Sequence, residues 1–231
     1  MINVGQIISY IELAQEEKAQ IQKGMNFRFH SNYSIVLMSR TKNAPYSDKF
    51  LDDGDTIEYE GHNASRKAGI IPEIIDQPGK FSSGKLTENG KFEDAAKSYK
   101  KGIRKSPEIV KVYEKLKRGI WVYNGKFALI DSYKKNEGKR KVYKFLLKFI
   151  DDERLLMQKN KGHVKHSRVI PSWIKQEVFI RDEGKCVKCG SSDNIHFDHD
   201  LPFSKGGTSL NVENIQLLCQ SHNLSKSNKL L

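Results

Sequence analysis

Disulfide chemistry has almost no material in this chain. Its 231 residues include three cysteines, at positions 186, 189 and 219. Three thiols in one late segment do not make the framework of a stapled secreted domain, and the expected setting is a reducing cytoplasm. Long apolar runs are missing as well. No stretch is long and apolar enough to span a membrane and no amino-terminal secretory signal is evident, so neither a membrane-embedded nor an exported protein is expected. No internal repeat is evident. Acidic residues fall short of basic ones in one region only. Residues 1–168 hold 33 Lys and Arg against 21 Asp and Glu, whereas residues 169–231 hold seven of each, so the whole net charge of +12 lies in the front part. Such a surplus favours a polyanionic partner and places affinity for nucleic acid in the front part rather than the tail. The length fits one large or two modest domains.

The tail holds two pairs of metal-knuckle spacing. Two residues separate Cys186 from Cys189, and two separate Cys219 from His222. Thiolates and imidazole are the usual tetrahedral ligands of structural Zn2+, and paired short spacings let two turns close on one ion. The 29 residues between the pairs exceed the usual zinc-ribbon gap. The ion would therefore pin a loop that carries something else. In that loop stand Asp198-His199, then Pro202, Ser204, Lys205, Gly206 and Gly207, then Asn214, and Asn223 follows the last knuckle.

This order and spacing, over residues 184–228, resembles the HNH or ββα-metal nuclease family. The resemblance implies that His199 is the general base and that Asn214 braces the loop carrying it. It also implies that Asp198 and Asn223 hold one catalytic Mg2+ or another divalent cation. Asn223 stands where the family name has its second histidine, and its carbonyl is a hard oxygen ligand suited to magnesium. The chemistry agrees. A neutral histidine takes a proton well near neutral pH, and an oxygen-ligated cation polarises a phosphate and stabilises the departing oxygen. Adjacent residues on an extended strand point to opposite faces, so a local bend must bring Asp198 and His199 to one phosphate, which gives a brace its purpose.

Along the front part, residues 3–23 read as one amphipathic helix on Val4, Ile7, Ile8, Ile11 and Ala14, stopped by Gly24. Residues 33–38 and 56–60 read as strands, 41–55 and 62–90 as loops, and 91–105 as a helix. From Lys97 to Arg118 there are nine basic residues and two acidic ones, and contact with phosphates is expected there. Ile120–Tyr123 and Phe127–Ile130 flank Asn124-Gly125, a pair suited to a type I′ hairpin turn, with Trp121 and Tyr123 on one face and Ile120 and Val122 on the other. A strand over 142–150, a short helix over 151–158 and a basic linker over 159–168 follow. Pro171 then opens a helix with Trp173, Ile174, Val178 and Phe179 as its apolar face.

The expected class is α+β: a curled mixed sheet with helices over 1–158, the linker 159–168, and a small zinc-bound domain over 169–231. The front part resembles the SRA domain, a PUA-like fold that binds DNA and flips a modified cytosine into a pocket. The resemblance is carried by Asp52-Asp53 followed by Tyr59-Glu60-Gly61, by Val110–Tyr113, by Gly119–Gly125 and by the strand Arg140–Phe149. It implies double-stranded, modified DNA as the partner. A flipped base needs aromatic faces and an acceptor for its exocyclic amine. Tyr46 and Tyr59 are the stacking candidates, Asp53 or Asp52 the acceptor, and Trp121 a further pocket residue, while Arg66 is placed to enter a groove. Together the two resemblances imply a restriction endonuclease directed to 5-methylcytosine or a related base. One catalytic set per chain implies a homodimer for cutting a duplex. Two other readings stay open: a restriction or homing nuclease of unmodified sequence, and a non-catalytic zinc-containing DNA-binding protein.

Overall fold

The computed structural model describes residues 2–29, 32–40, 44–51, 55–66, 71–150, 169–202 and 205–228. Asp52, Asp53, the helix expected at 151–158 and the linker 159–168 lie outside the described residues. The front part comprises β1 (Ile7–Ser9), α1 (Tyr10–Glu16), β2 (Met25–Asn26), β3 (Ser34–Ser39), β4 (Lys49–Phe50) and β5 (Thr56–Glu60). It continues with α2 (Glu88–Lys100), β6 (Glu108–Lys117), β7 (Ile120–Glu137) and β8 (Arg140–Phe149). The strands form one mixed sheet in the order β2-β3-β6-β7-β8-β5-β4, with β1 added to β7. The β3–β6 pairing is parallel, and its neighbours β2–β3 and β6–β7 are antiparallel. The rear part comprises α3 (Ser172–Arg181), the antiparallel pair β9 (Ile195–His199) and β10 (Ile215–Cys219), and α4 (Gln220–Asn228). The chain is α+β, and among the described residues no helix is long and apolar enough to cross a membrane.

Alternation builds the sheet's main core. Val110 and Val112 of β6, Phe127 and Leu129 of β7, and Phe145 and Leu147 of β8 point to one face. Helix α2 lies on that face through Phe92, Ala95 and Ala96, a spacing of three and four that makes one helical stripe. Burying Phe92 alone contributes about 2–3 kcal/mol. The helix starts earlier than periodicity suggested because the Thr87 side chain caps it, accepting from Gly90 N at 3.2 Å.

The structure corrects three expectations. Residues 3–23 are not one helix. Ile7–Ser9 pair with Val122–Ile120 of β7, and only Tyr10–Glu16 are helical. Ser9 is the reason: Glu12 N donates to its Oγ at 3.2 Å and Ser9 N donates to Glu12 Oε2 at 2.7 Å, a capping box that starts the helix there. Asn124-Gly125 is not a hairpin turn either. Strand β7 runs straight through it, and the chain reverses at Gly119, whose φ is 77°. Val112 pairs with Gly125 and Tyr113 with Tyr123, so Asn124 is the extra residue of a β-bulge. Bulge and turn both favour residues that tolerate positive φ, and Gly125 has a φ of 101°. Trp173 does not belong to the buried face of α3: it is 51 % exposed, while Ile174 and Val178 are buried. Within the basic run 97–118, four of the nine cations are engaged in ion pairs among the described residues. Lys97, Lys100, Arg104 and Lys111 pair with Glu93, Asp131, Glu108 and Glu17.

Three ties mount the rear part on the front sheet. Leu116 and Val122 share a core with Ile174, Val178, Ile195, Phe197 and Leu217. Gly5 N donates to Tyr123 O at 2.8 Å while Gly5 O accepts from Phe197 N at 3.0 Å, so the amino-terminal segment bridges β7 and β9. Lys175 of α3 reaches Glu114 Oε2 at 3.0 Å and Asn124 Oδ1 at 2.6 Å, and all three side chains are buried. Burial raises the Glu114 carboxyl, but the Lys175 ammonium and the Asn124 amide outweigh it and hold the group below the usual carboxylate range.

Candidate functional site

Cys186 and Cys189 lie in a tight turn closed by Gly190 N donating to Cys186 O at 2.8 Å. Cys219 ends β10 and His222 sits in the first turn of α4. Their four ligand atoms all lie within 4.8 Å of one another. The nearest pairs are Cys219 Sγ to His222 Nδ1 at 3.2 Å, Cys186 Sγ to His222 Nδ1 at 3.5 Å, and Cys189 Sγ to Cys219 Sγ at 3.8 Å. Ligands about 2.3 Å from a tetrahedral zinc stand about 3.8 Å apart, so this set fits the ion. Burial raises the Cys186 thiol, but the backbone N–H groups of Cys219, Lys188 and Cys189 outweigh it and bring it down to about 6. A thiolate ready near neutral pH is what a zinc ligand requires.

Strand β9 ends on Asp198 and His199, and Asn214 immediately precedes its partner β10. Asn214 holds the intervening loop at three points. Its Oδ1 accepts from Leu201 N at 2.8 Å, and its Nδ2 donates to Thr208 O at 2.9 Å and to Leu201 O at 3.3 Å. The loop passes so close that a Cβ on Gly207 would meet Leu201 O at 1.9 Å, which explains glycine there. The folded loop brings Ser209, a buried residue that the sequence reading did not single out, to His199: Nε2 and Oγ are 2.8 Å apart. Where Nε2–H donates, this bond selects the imidazole tautomer whose lone pair sits on Nδ1.

Helix α4 packs on β9 and β10 and presents Asn223 and Lys226. Lys226 Nζ donates to Asp198 Oδ2 and to the backbone carbonyl of His199. A cationic group thus stands on the two oxygens at the end of β9. The Asp198 carboxylate and the His199 carbonyl are hard oxygen donors of the kind a divalent cation takes, and they already draw a cationic group. His196, two residues before Asp198, is a different case. It is buried, burial lowers its pKa, and neither ring nitrogen has a partner among the described residues.

The front sheet holds a cavity of about 540 Å3, whose walls include Tyr46, Asp48, His62, Lys115 and Trp121. That lies within the roughly 300–1,000 Å3 of small-molecule pockets. Tyr46 stacks on His62, with ring centroids 4.8 Å apart and planes 5° apart. Burial pushes His62 down to about 4, so it is neutral at physiological pH. Asp48 was not singled out from the sequence, yet it is the buried acid of this wall. Its carboxylate accepts from Glu60 N at 3.0 Å and Ser39 N at 3.4 Å. Burial raises it to about 7, against those two N–H groups. Tyr59, expected on a base, is 1 % exposed in the main core, with its hydroxyl donating to Gly24 O at 3.0 Å. Trp121 lines the cavity, and Arg66 lies outside it, paired with Glu73 on an exposed loop.

Residues 186–229 match the model of the HNH endonuclease family. A comparison with curated proteins finds no match. Similar solved structures include the SUVH5 SRA domain with hemimethylated CG DNA, at 20 % identity and a TM-score of 0.45, covering 65 % of this chain and 90 % of that one. The SUVH5 SRA domain with fully hydroxymethylated CG DNA gives 19 % identity and a TM-score of 0.46, with 65 % and 91 % coverage. KRYPTONITE in complex with mCHH DNA, an H3 peptide and SAH gives 19 % identity and a TM-score of 0.44, with 70 % and 34 % coverage.

Proposed function

We propose that this chain is an HNH endodeoxyribonuclease that the front part directs to DNA carrying a modified cytosine, as a restriction enzyme would be. The observation that carries the nuclease reading is the constellation at the hairpin end. Asp198, His199, the Asn214-braced loop and the Lys226 ammonium on Asp198 come together at one end of the β9–β10 pair, and a zinc-type cluster closes the other end, where Cys219 pairs with Ile195. His199 takes the proton of the attacking water on Nδ1, with Ser209 holding its other nitrogen. The hydroxide adds to phosphorus and the ester oxygen leaves. Asp198 and Asn223 would hold a divalent ion, which when bound would supply electrophilic stabilisation of the phosphate and the leaving oxygen. Cys186, Cys189, Cys219 and His222 would hold Zn2+, which would fix the hairpin against α4.

The modified-base reading rests on the cavity: a stacked aromatic wall and a buried carboxylate that accepts from an exocyclic amine. Residues 1–158 recognise, 159–168 link and 169–231 cut, and two copies meet on the duplex to cut both strands. A panel of matched duplexes bearing cytosine, methylcytosine, hydroxymethylcytosine or methyladenine tests the reading. Magnesium-dependent cutting confined to the modified cytosines is expected. Equal or better cutting of the unmodified duplex refutes modification dependence and favours a nuclease of unmodified sequence. No cutting of any duplex with any divalent metal favours a binding protein.

A further inference from the structure

Helix α4 places Asn223 and Lys226 three residues apart, which brings both side chains to one helical face. That face meets β9, and Lys226 Nζ donates to Asp198 Oδ2 and to His199 O. The ammonium therefore occupies the carboxylate that the proposed divalent ion needs. Neither partner is a loose surface charge: the Lys226 and Asp198 side chains are 21 % and 22 % exposed.

We propose that Lys226 is the built-in counter-cation of the nuclease site. It neutralises Asp198 while no divalent ion is bound, gives the carboxylate up when the ion arrives, and then turns to the scissile phosphate. The inference rests on reading Asp198 as a metal ligand. Three physical points carry it. A carboxylate that is mostly out of water needs a partner, and Lys226 supplies one. An ammonium and a divalent ion repel at contact distance, so the two do not share one carboxylate. The displaced ammonium then needs another anion. Residues 169–231 have as many basic as acidic residues and offer no acidic surplus, whereas bound DNA brings phosphates to the site. Metal and DNA each remove a cost from the other's binding, so each tightens the other by the same factor. The cation site is thus weak in the free protein and strong on its substrate.

The test uses the zinc-loaded full chain in a His199→Ala background, so that DNA stays intact. Mn2+ affinity is read from the electron paramagnetic resonance signal of the free ion, with and without duplex, after correction for Mn2+ on DNA alone. Without DNA, Lys226→Met is expected to bind Mn2+ about tenfold tighter than its parent, the effect of losing a competing charge-assisted contact. DNA is expected to tighten Mn2+ binding by the parent about tenfold and by the variant much less. Equal Mn2+ affinities of parent and variant in the absence of DNA overturn the proposal. Asp198→Ala separates the two layers. If it binds Mn2+ as well as the parent does, Asp198 is no metal ligand and the underlying reading fails. Lys226→Gln, which keeps a polar side chain, replaces Lys226→Met if that variant melts early.

Discussion

Asp48→Asn separates stability from recognition. In the folded chain burial lifts this carboxyl to about 7, and in the unfolded chain it titrates at its ordinary value near 3.8. Between those values the unfolded chain is ionised there and the folded one is protonated. Folded Asp48 therefore binds the extra proton, and stability falls as pH rises through this window, with the full cost present above about 7. The interval corresponds to a cost on the order of 4 kcal/mol at pH 8 and roughly 2 kcal/mol at pH 5. Asparagine removes the titration. Its amide N–H opposite Ser39 N introduces a repulsion of about 1 kcal/mol, which does not depend on pH. The stability difference between variant and wild type is therefore expected to shift by roughly 2–3 kcal/mol in the variant's favour from pH 5 to pH 8. Urea denaturation of both proteins across that range measures it. The nearby charges, Glu60 and Lys144, are common to both proteins, and His62 is already neutral above about 4. Recognition moves the other way. At pH 8 the variant lacks the ionised acceptor and is expected to bind modified duplex about tenfold more weakly, with the gap closing towards pH 5. Parallel stability curves refute the buried titration, and unchanged binding at pH 8 removes Asp48 from the pocket's chemistry.

Three further perturbations report on other parts of the molecule. Cys186→Ser is expected to release zinc and melt the rear part, because a small domain of this kind draws its folding energy from the ion; a wild-type melting curve with zinc still bound refutes the ligand assignment. His199→Ala is expected to cut single-turnover cleavage by about 10²–10⁴ while leaving duplex affinity unchanged, as loss of a general base does; undiminished cleavage refutes the assignment. Lys175→Met strands Glu114 as an unpaired buried charge, an expected loss of about 3–5 kcal/mol in denaturant unfolding, and Glu114→Gln in the same chain should restore part of it.

What was legible in the sequence was local in the chain or fixed by spacing. Cys186, Cys189, Cys219 and His222 announce themselves through two short intervals, and the structure gathers them within 4.8 Å. Strand faces were legible too: Ile120 and Val122 face the rear part while Trp121 and Tyr123 face the other way. What was not legible depends on tertiary placement. Asn124-Gly125 carries the same signal for a turn and for a bulge, and the bulged Asn124 is held by Glu114 and Lys175, which lie far from it in the sequence or on another element. Asp48 looks like a loop acid until Glu60 N and Ser39 N close on it. His62 becomes a stacking face only once it lies against Tyr46. Lys226 did leave a signal, its three-residue offset from Asn223 on a helix, and Ser9-x-x-Glu12 left another as a capping box.

Under the proposed function, strand β7 joins recognition to cutting. Its alternation sends Trp121 into the cavity and Val122 into the core that carries β9 and β10. One residue step thus separates the recognition wall from the nuclease mount, and a shift in the β7 register would exchange the two faces. Three separate contacts hold that register. The bulge at Asn124 is pinned by Glu114 and Lys175, β1 pairs along Ile120–Val122, and Gly5 ties Tyr123 to Phe197. Two of these reach into the rear part itself. If the proposed function holds, a nuclease carried this way is expected to cut at a fixed offset from the base it reads. Loosening the mount through Lys175 should therefore spread the cleavage positions on a modified duplex, whereas damage to the cavity should lower cutting without moving them.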